Sequence, residues 1–151
     1  MNIKTITLAA GDIVPALGQG TWYLGDDPAK RAQEVSALRT GMGAGMRLID
    51  TAEMYGDGRS EKLVGEAIAA ASREELFLVS KVLPENAGEK HIFQCCDATM
   101  NRMGVDYLDL YLLHWRGSVP LAETVRCLEQ LKELGKIKNW GVSNFDKIGR
   151  A

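Results

Sequence analysis

The chain has 151 residues, 46% hydrophobic and 25% charged, the make-up of a globular domain of ordinary size. Its formal net charge of -2 and pI near 5.7 argue against a polyanion-binding surface, so nucleic acid is not an expected partner. No apolar run reaches the length of a membrane span, so no membrane partner is expected.

Met1-Asn2-Ile3-Lys4-Thr5 lacks the long apolar core of a secretory leader, and a cytoplasmic location is expected. Weak alternation over residues 3–8, the turn Ala10-Gly11-Asp12 and the extended Ile13-Val14-Pro15-Ala16 predict an N-terminal hairpin. Leu17-Gly18-Gln19-Gly20-Thr21-Trp22 reads as a first short strand running into a loop. Asp26-Asp27-Pro28 predicts a helix start, with acidic caps and proline in the first turn, and the helix stops in Gly43-Ala44-Gly45. A rhythm follows: strands over 47–50, 76–81, 107–114 and 137–142, with helices over 60–71, 89–103 and 121–134 between them. A strand about every 30 residues with an intervening helix is the pattern of parallel βα units. Apolar runs such as Leu76-Phe77-Leu78-Val79 predict strands buried on both faces.

Such units close into a (β/α)8 TIM barrel or spread into an open doubly wound sheet. The polar residues favour the barrel. Asp50, Lys81 and His114 stand at the ends of three successive strands, and barrel strand ends converge on one face. Between the first two lies Tyr55, in a turn with Gly56 and Gly58. Singly, each has a structural explanation: a helix cap, a lysine reaching solvent, a hydrogen-bonded histidine, a half-buried loop tyrosine. Together they form a proton-donor constellation. An Asp–Lys pair beside a tyrosine puts a positive charge where it favours the phenolate, and a nearby histidine can donate to a carbonyl oxygen.

Other motifs do not reach function. Gly41-Met42-Gly43-Ala44-Gly45-Met46 lacks the third glycine of a dinucleotide fingerprint and follows a helix, so it reads as a helix stop. Ser118 and Ser143 have no nucleophile motif around them, and no cysteine or histidine spacing suggests a metal. Cys95-Cys96 reads as packing by reduced thiols.

Ile49-Asp50-Thr51-Ala52-Glu53-Met54-Tyr55-Gly56, Ser80-Lys81, Leu110-Tyr111-Leu112-Leu113-His114-Trp115 and Gly135-Lys136-Ile137-Lys138-Asn139-Trp140-Gly141-Val142-Ser143-Asn144 resemble, in order and spacing, the signature segments of the aldo-keto reductases. Leu17-Gly18-Gln19-Gly20-Thr21-Trp22 and the N-terminal hairpin, which plugs the barrel floor in that family, also fit. Within the family the chain looks closest to small bacterial enzymes acting on methylglyoxal-type aldehydes. The resemblance implies a catalytic tetrad of Asp50, Tyr55, Lys81 and His114, with Tyr55 as proton donor. It implies NADPH as cofactor, contacted by Gly20, Thr21, Trp22, Asp50, Ser143 and Asn144. It implies a substrate pocket of Trp22, Tyr55, His114 and Trp115, and an aldehyde or ketone as substrate.

A complete barrel takes about 250 residues. Residues 1–151 are therefore expected to be the N-terminal portion of one barrel domain: the hairpin, about five strands, and the start of a helix at Arg150-Ala151. The family's segments for stacking on nicotinamide and for holding the adenosine phosphate are expected beyond Ala151. The full-length parent is expected to be a monomer. The fragment is expected to self-associate, because Leu48, Leu78, Leu110 or their neighbours point inward without a closed core and the first and fifth strands are edges. An inactive truncated fragment, and a regulatory or binding subunit on the same barrel, are the competing expectations.

Overall fold

The computed structural model describes residues 3–146; the helix start expected at Arg150-Ala151 lies outside them. Strands β1 (Thr5–Thr7) and β2 (Ile13–Pro15) form the expected antiparallel hairpin. Then come β3 (Gln19–Gly20), α1 (Arg31–Gly43), β4 (Leu48–Asp50), α2 (Arg59–Ile68), β5 (Phe77–Val82), α3 (Ile92–Met103), β6 (Leu108–Leu113), α4 (Leu121–Glu133) and β7 (Ile137–Val142). None of the described helices is long and apolar enough to cross a membrane.

Strands β3 to β7 form one parallel sheet in sequence order. An open doubly wound sheet reverses its order at a switch point and carries helices on both faces. Here one core cluster joins residues of all four helices to the strand residues Ile49, Leu78, Val82, Tyr111 and Leu113. The other face meets the hairpin instead: Val14 packs with Phe77 and Val79 beside Leu8, Leu48, Leu110 and Leu112, and Asn139 Nδ2 donates to Asp12 at 2.7 Å. Helices outside and a floor plug inside are the (β/α)8 barrel arrangement, represented here by its first five strands.

That division corrects one expectation. Leu48 and Leu110 face inward, but Leu78 lies in the helix-side cluster. The register aligns Phe77 with Leu48 and Val79 with Leu110 on the inner face, and Leu78 falls between them.

Helix ends differ locally from expectation. Asp27 Oδ1 accepts from the amide of Ala29 and Asp27 O from that of Lys30, so the expected capping residue closes a separate turn and α1 starts at Arg31. The segment 89–91 is likewise a turn before α3, and α2 stops at Ile68 rather than 71. Lys81 is the penultimate residue of β5, not its last. His114 follows β6 but stays on the ladder, its amide donating to Val82 O at 3.0 Å.

Candidate active site

The carboxyl ends of β4, β5 and β6 bring Asp50, Lys81 and His114 together, as barrel geometry requires. The ammonium of Lys81 uses three donors on three partners: the Asp50 carboxylate at 2.8 Å, Thr51 O at 2.9 Å and Tyr55 Oη at 3.2 Å. Lys81 is buried, while the Asp50 side chain is about one-third exposed. A buried ammonium is stable only when paired and hydrogen-bonded, and this one is. Because Tyr55 Oη accepts from Lys81, the phenol's own proton is left for a group in the cavity.

Around this trio the rings close in. Trp22 stacks on Tyr55 with centroids 6.1 Å apart, and His114 meets Tyr55 edge-on at 5.7 Å. Trp115 lies 4.6 Å from His114. Trp22, Met54, Tyr55, Lys81, His114, Trp115, Ser143 and Asn144 together line a cavity of about 410 Å³. Its aromatic walls and few polar groups suit a small organic ligand. Burial first, and the Lys81 ammonium next, lower the pKa of His114 below its ordinary 6.5, against an upward pull from Asp50. The imidazole is therefore neutral at pH 7 and carries one N–H donor. Its Nδ1 is buried without a hydrogen-bond partner, and Asn144 Nδ2 donates to its carbonyl at 2.9 Å.

The loops that carry Trp22 and Tyr55 are pinned by hydroxyls. Thr21, Thr51 and Ser60 are fully buried. Ser60 Oγ lies 2.9 Å from Thr21 O and 2.8 Å from Thr21 Oγ1, Thr51 Oγ1 donates to Ser60 Oγ, and Thr21 Oγ1 donates to Asp50 O. Thus Thr21, expected at the cofactor, turns its side chain into this cluster, and neither it nor Gly20 lines the cavity. Ser143 and Asn144 do, with Asn144 in a left-handed conformation (φ 57°).

The sequence reading missed Met54, Ser60 and Glu61. Glu61 is fully buried yet charged by type, which its spacing signals: positions 61, 64 and 68 share one helix face with the apolar Val64 and Ile68. The adjacent thiols hold no chemistry here. Burial, and then Glu53, pushes Cys95 up to about 11, and burial pushes Cys96 up to about 12, so neither is a thiolate at neutral pH.

Comparison with known proteins adds the lineage. Methylglyoxal reductase YeaE of Escherichia coli (strain K12) is 56% identical over 146 residues, covering 97% of this chain and 51% of that protein. The uncharacterized oxidoreductase YtbE of Bacillus subtilis (strain 168) is 38% identical over 145 residues, covering 92% and 49%. The crystal structure of an aldo-keto reductase from Klebsiella pneumoniae in complex with NADPH superposes with a TM-score of 0.93 at 50% identity, over 99% of this chain and 52% of that one. The chain spans about half the length of the curated relatives it matches. The model of the Aldo/keto reductase family matches residues 16–151, which together with these likenesses and the barrel topology means that the chain belongs to the aldo/keto reductase family.

Proposed function

We propose that the parent protein of this chain reduces aldehydes or ketones to alcohols with NADPH, and that residues 1–151 carry its proton-delivery machinery. The observation that carries this reading is the contact between Tyr55 Oη and Lys81 Nζ at 3.2 Å, with Lys81 paired to Asp50, on the wall of the cavity. The Escherichia coli relative is named for methylglyoxal reduction, which supports a small 2-oxoaldehyde as substrate.

The residues present fit the nicotinamide end of the cofactor. Ser143 and Asn144 bring a hydroxyl and an amide to the cavity wall, a donor and acceptor set that suits a carboxamide. The NADPH bound to the Klebsiella pneumoniae relative supports the same assignment. When bound, the reduced nicotinamide supplies the hydride that adds to the carbonyl carbon. Tyr55 gives its proton to the carbonyl oxygen. Lys81 stabilises the phenolate left behind, and Asp50 holds Lys81 in place by charge. Neutral His114 donates its N–H to the same oxygen and orients it. Trp22 and Trp115 supply aromatic walls to the cavity in which the carbonyl would sit.

The test is the intact parent protein with NADPH and methylglyoxal, followed by loss of the reduced nicotinamide's absorbance and identification of the alcohol. Saturable turnover is expected. Binding of NADPH with no turnover on any of a panel of small aldehydes and ketones would overturn the reading in favour of a binding subunit.

A further inference from the structure

The turn after Tyr55 is unusual. Gly56, Asp57 and Gly58 are all left-handed in succession, with φ of 58°, 52° and 83°. A non-glycine residue there stores strain, and strain of this kind persists only where the surroundings over-determine it. The surroundings are identifiable. A Cβ on Gly58 would sit 2.6 Å from Cδ of Arg102, so the Arg102 side chain lies directly against the turn. Arg102 is in turn paired through Nε with Glu61, which no solvent reaches. Oε1 of the same carboxylate accepts from Ser80 Oγ at 2.7 Å and from Thr99 Oγ1 at 3.0 Å. Ser80 is the residue next to Lys81. The amide of Ser60, next to Glu61, meets the carbonyl of Tyr55 at 3.3 Å.

One buried carboxylate therefore joins the two halves of the proton donor. On one side it holds the strand that presents Lys81. On the other, through Arg102 and the first turn of α2, it holds the loop that presents Tyr55. Neither Glu61 nor Arg102 lines the cavity. A buried charge with three satisfied contacts is a costly way to pack a helix, and a leucine would fill the space with no desolvation penalty. The hydroxyl and guanidinium contacts fix where the carboxylate sits, so it can register β5 and α3 against α2.

We infer that Glu61 is a positioning residue that sets the separation of Lys81 Nζ and Tyr55 Oη by tying Ser80 on β5 to Arg102 beneath the left-handed turn 56–58. This rests on the proposed reductase reading for its consequence, but the geometry it asserts can be measured without turnover.

The experiment uses the intact parent protein and two variants. Glu61→Gln keeps the shape and an acceptor for Ser80 but removes the charge that holds Arg102. Ser80→Ala removes a single hydroxyl and leaves the ion pair, so it keeps the test open if the glutamine variant does not fold. Each is expected to lower kcat roughly ten- to hundredfold, the scale of a small misplacement of catalytic groups, with the KM for NADPH little changed. In a Tyr55→Phe background the same changes should add almost nothing, because the separation they disturb no longer matters. Independently of activity, the NMR titration of His114, which feels the Lys81 ammonium, should shift in both variants. Folded variants that keep full kcat, or that lose the same factor in the Tyr55→Phe background with an unmoved His114 titration, would overturn the inference. A wild-type parent without reductase activity would sink the functional reading alone, and the His114 shift would still decide the positioning claim.

Discussion

Replacing Tyr55 with Phe removes one oxygen from the centre of the site and keeps the ring. The structure says what that oxygen does not hold together. Lys81 Nζ loses its contact at 3.2 Å but keeps the Asp50 carboxylate and Thr51 O, so the ammonium remains paired. Trp22 and His114 pack against the ring, which stays. The stability cost is therefore that of one partly buried hydrogen bond, about 1 kcal/mol. The kinetic cost is of another order. Loss of a general acid lowers turnover roughly 10²- to 10⁴-fold, which is about 2.7–5.4 kcal/mol of barrier. The assay is steady-state reduction of methylglyoxal by the intact parent protein, beside a thermal melt and a fluorescence titration with NADPH. Turnover should collapse while the melt and the cofactor affinity stay near wild type. Near-normal turnover in the phenylalanine variant would refute the assignment of Tyr55, whatever the distances suggest.

The neutral state of His114 gives a prediction of sign: Lys81→Met should raise its NMR titration midpoint and Asp50→Asn should lower it, since the two charges pull in opposite directions. A midpoint indifferent to both would mean that His114 does not feel the pair. Because its folded pKa lies below the unfolded value of about 6.5, the associated stability is full above that pH and is lost as pH falls through the folded value. A chemical-denaturation series across that range, on the parent and on His114→Asn, should show an acid-side loss that the variant lacks. Gly58→Ala and Gly104→Ala form a matched pair, both at positive φ, but the added methyl meets Arg102 at the first and nothing within 4 Å at the second. Both should cost about 1–2 kcal/mol for the left-handed backbone, with Gly58→Ala costing distinctly more; equal losses by urea denaturation would deny the contact with Arg102. Finally, residues 1–151 expressed alone should self-associate through the unpaired outer edges of β3 and β7 and the inner face around Phe77, Leu110 and Leu112. A 16.5 kDa monomer in light scattering would count against that.

The strand rhythm was legible because β5 and β6 are largely apolar runs bounded by turn residues, and β7, although Lys138, Asn139 and Gly141 interrupt it, came out with both of its ends as expected. The positions of Asp50, Lys81 and His114 were legible for a related reason. A charged or titratable residue closing an apolar strand has few places to go, and barrel topology sends those places to one rim. The facing of Leu78 was less accessible. All six residues of β5 are buried, so no alternation marks its inner side. The parity was nonetheless recoverable from Lys81, whose inward position at the strand end forces Val79 and Phe77 inward and Leu78 toward the helices. The start of α1 was misread because an aspartate before a proline caps a single turn as well as it caps a helix.

Thr21 and Glu61 mark where local reasoning stops. Thr21 sits in the loop beside the cavity, and nothing in Gly20-Thr21-Trp22 reveals that its hydroxyl turns toward Ser60, 39 residues away. Glu61 reads as an acidic residue in the first turn of a helix, which is a favourable place for it on the surface. Its partners Ser80, Thr99 and Arg102 lie 19 to 41 residues further on, on two other elements. Only the spacing to Val64 and Ile68 signals burial, and burial alone does not name the partners. Asp50, Lys81 and His114 could thus be found from the strand ends taken together, and Tyr55 from the turn that follows the first of them. The group proposed to hold them at their working distance could be found only after the strands, helices and turn had been assembled around it.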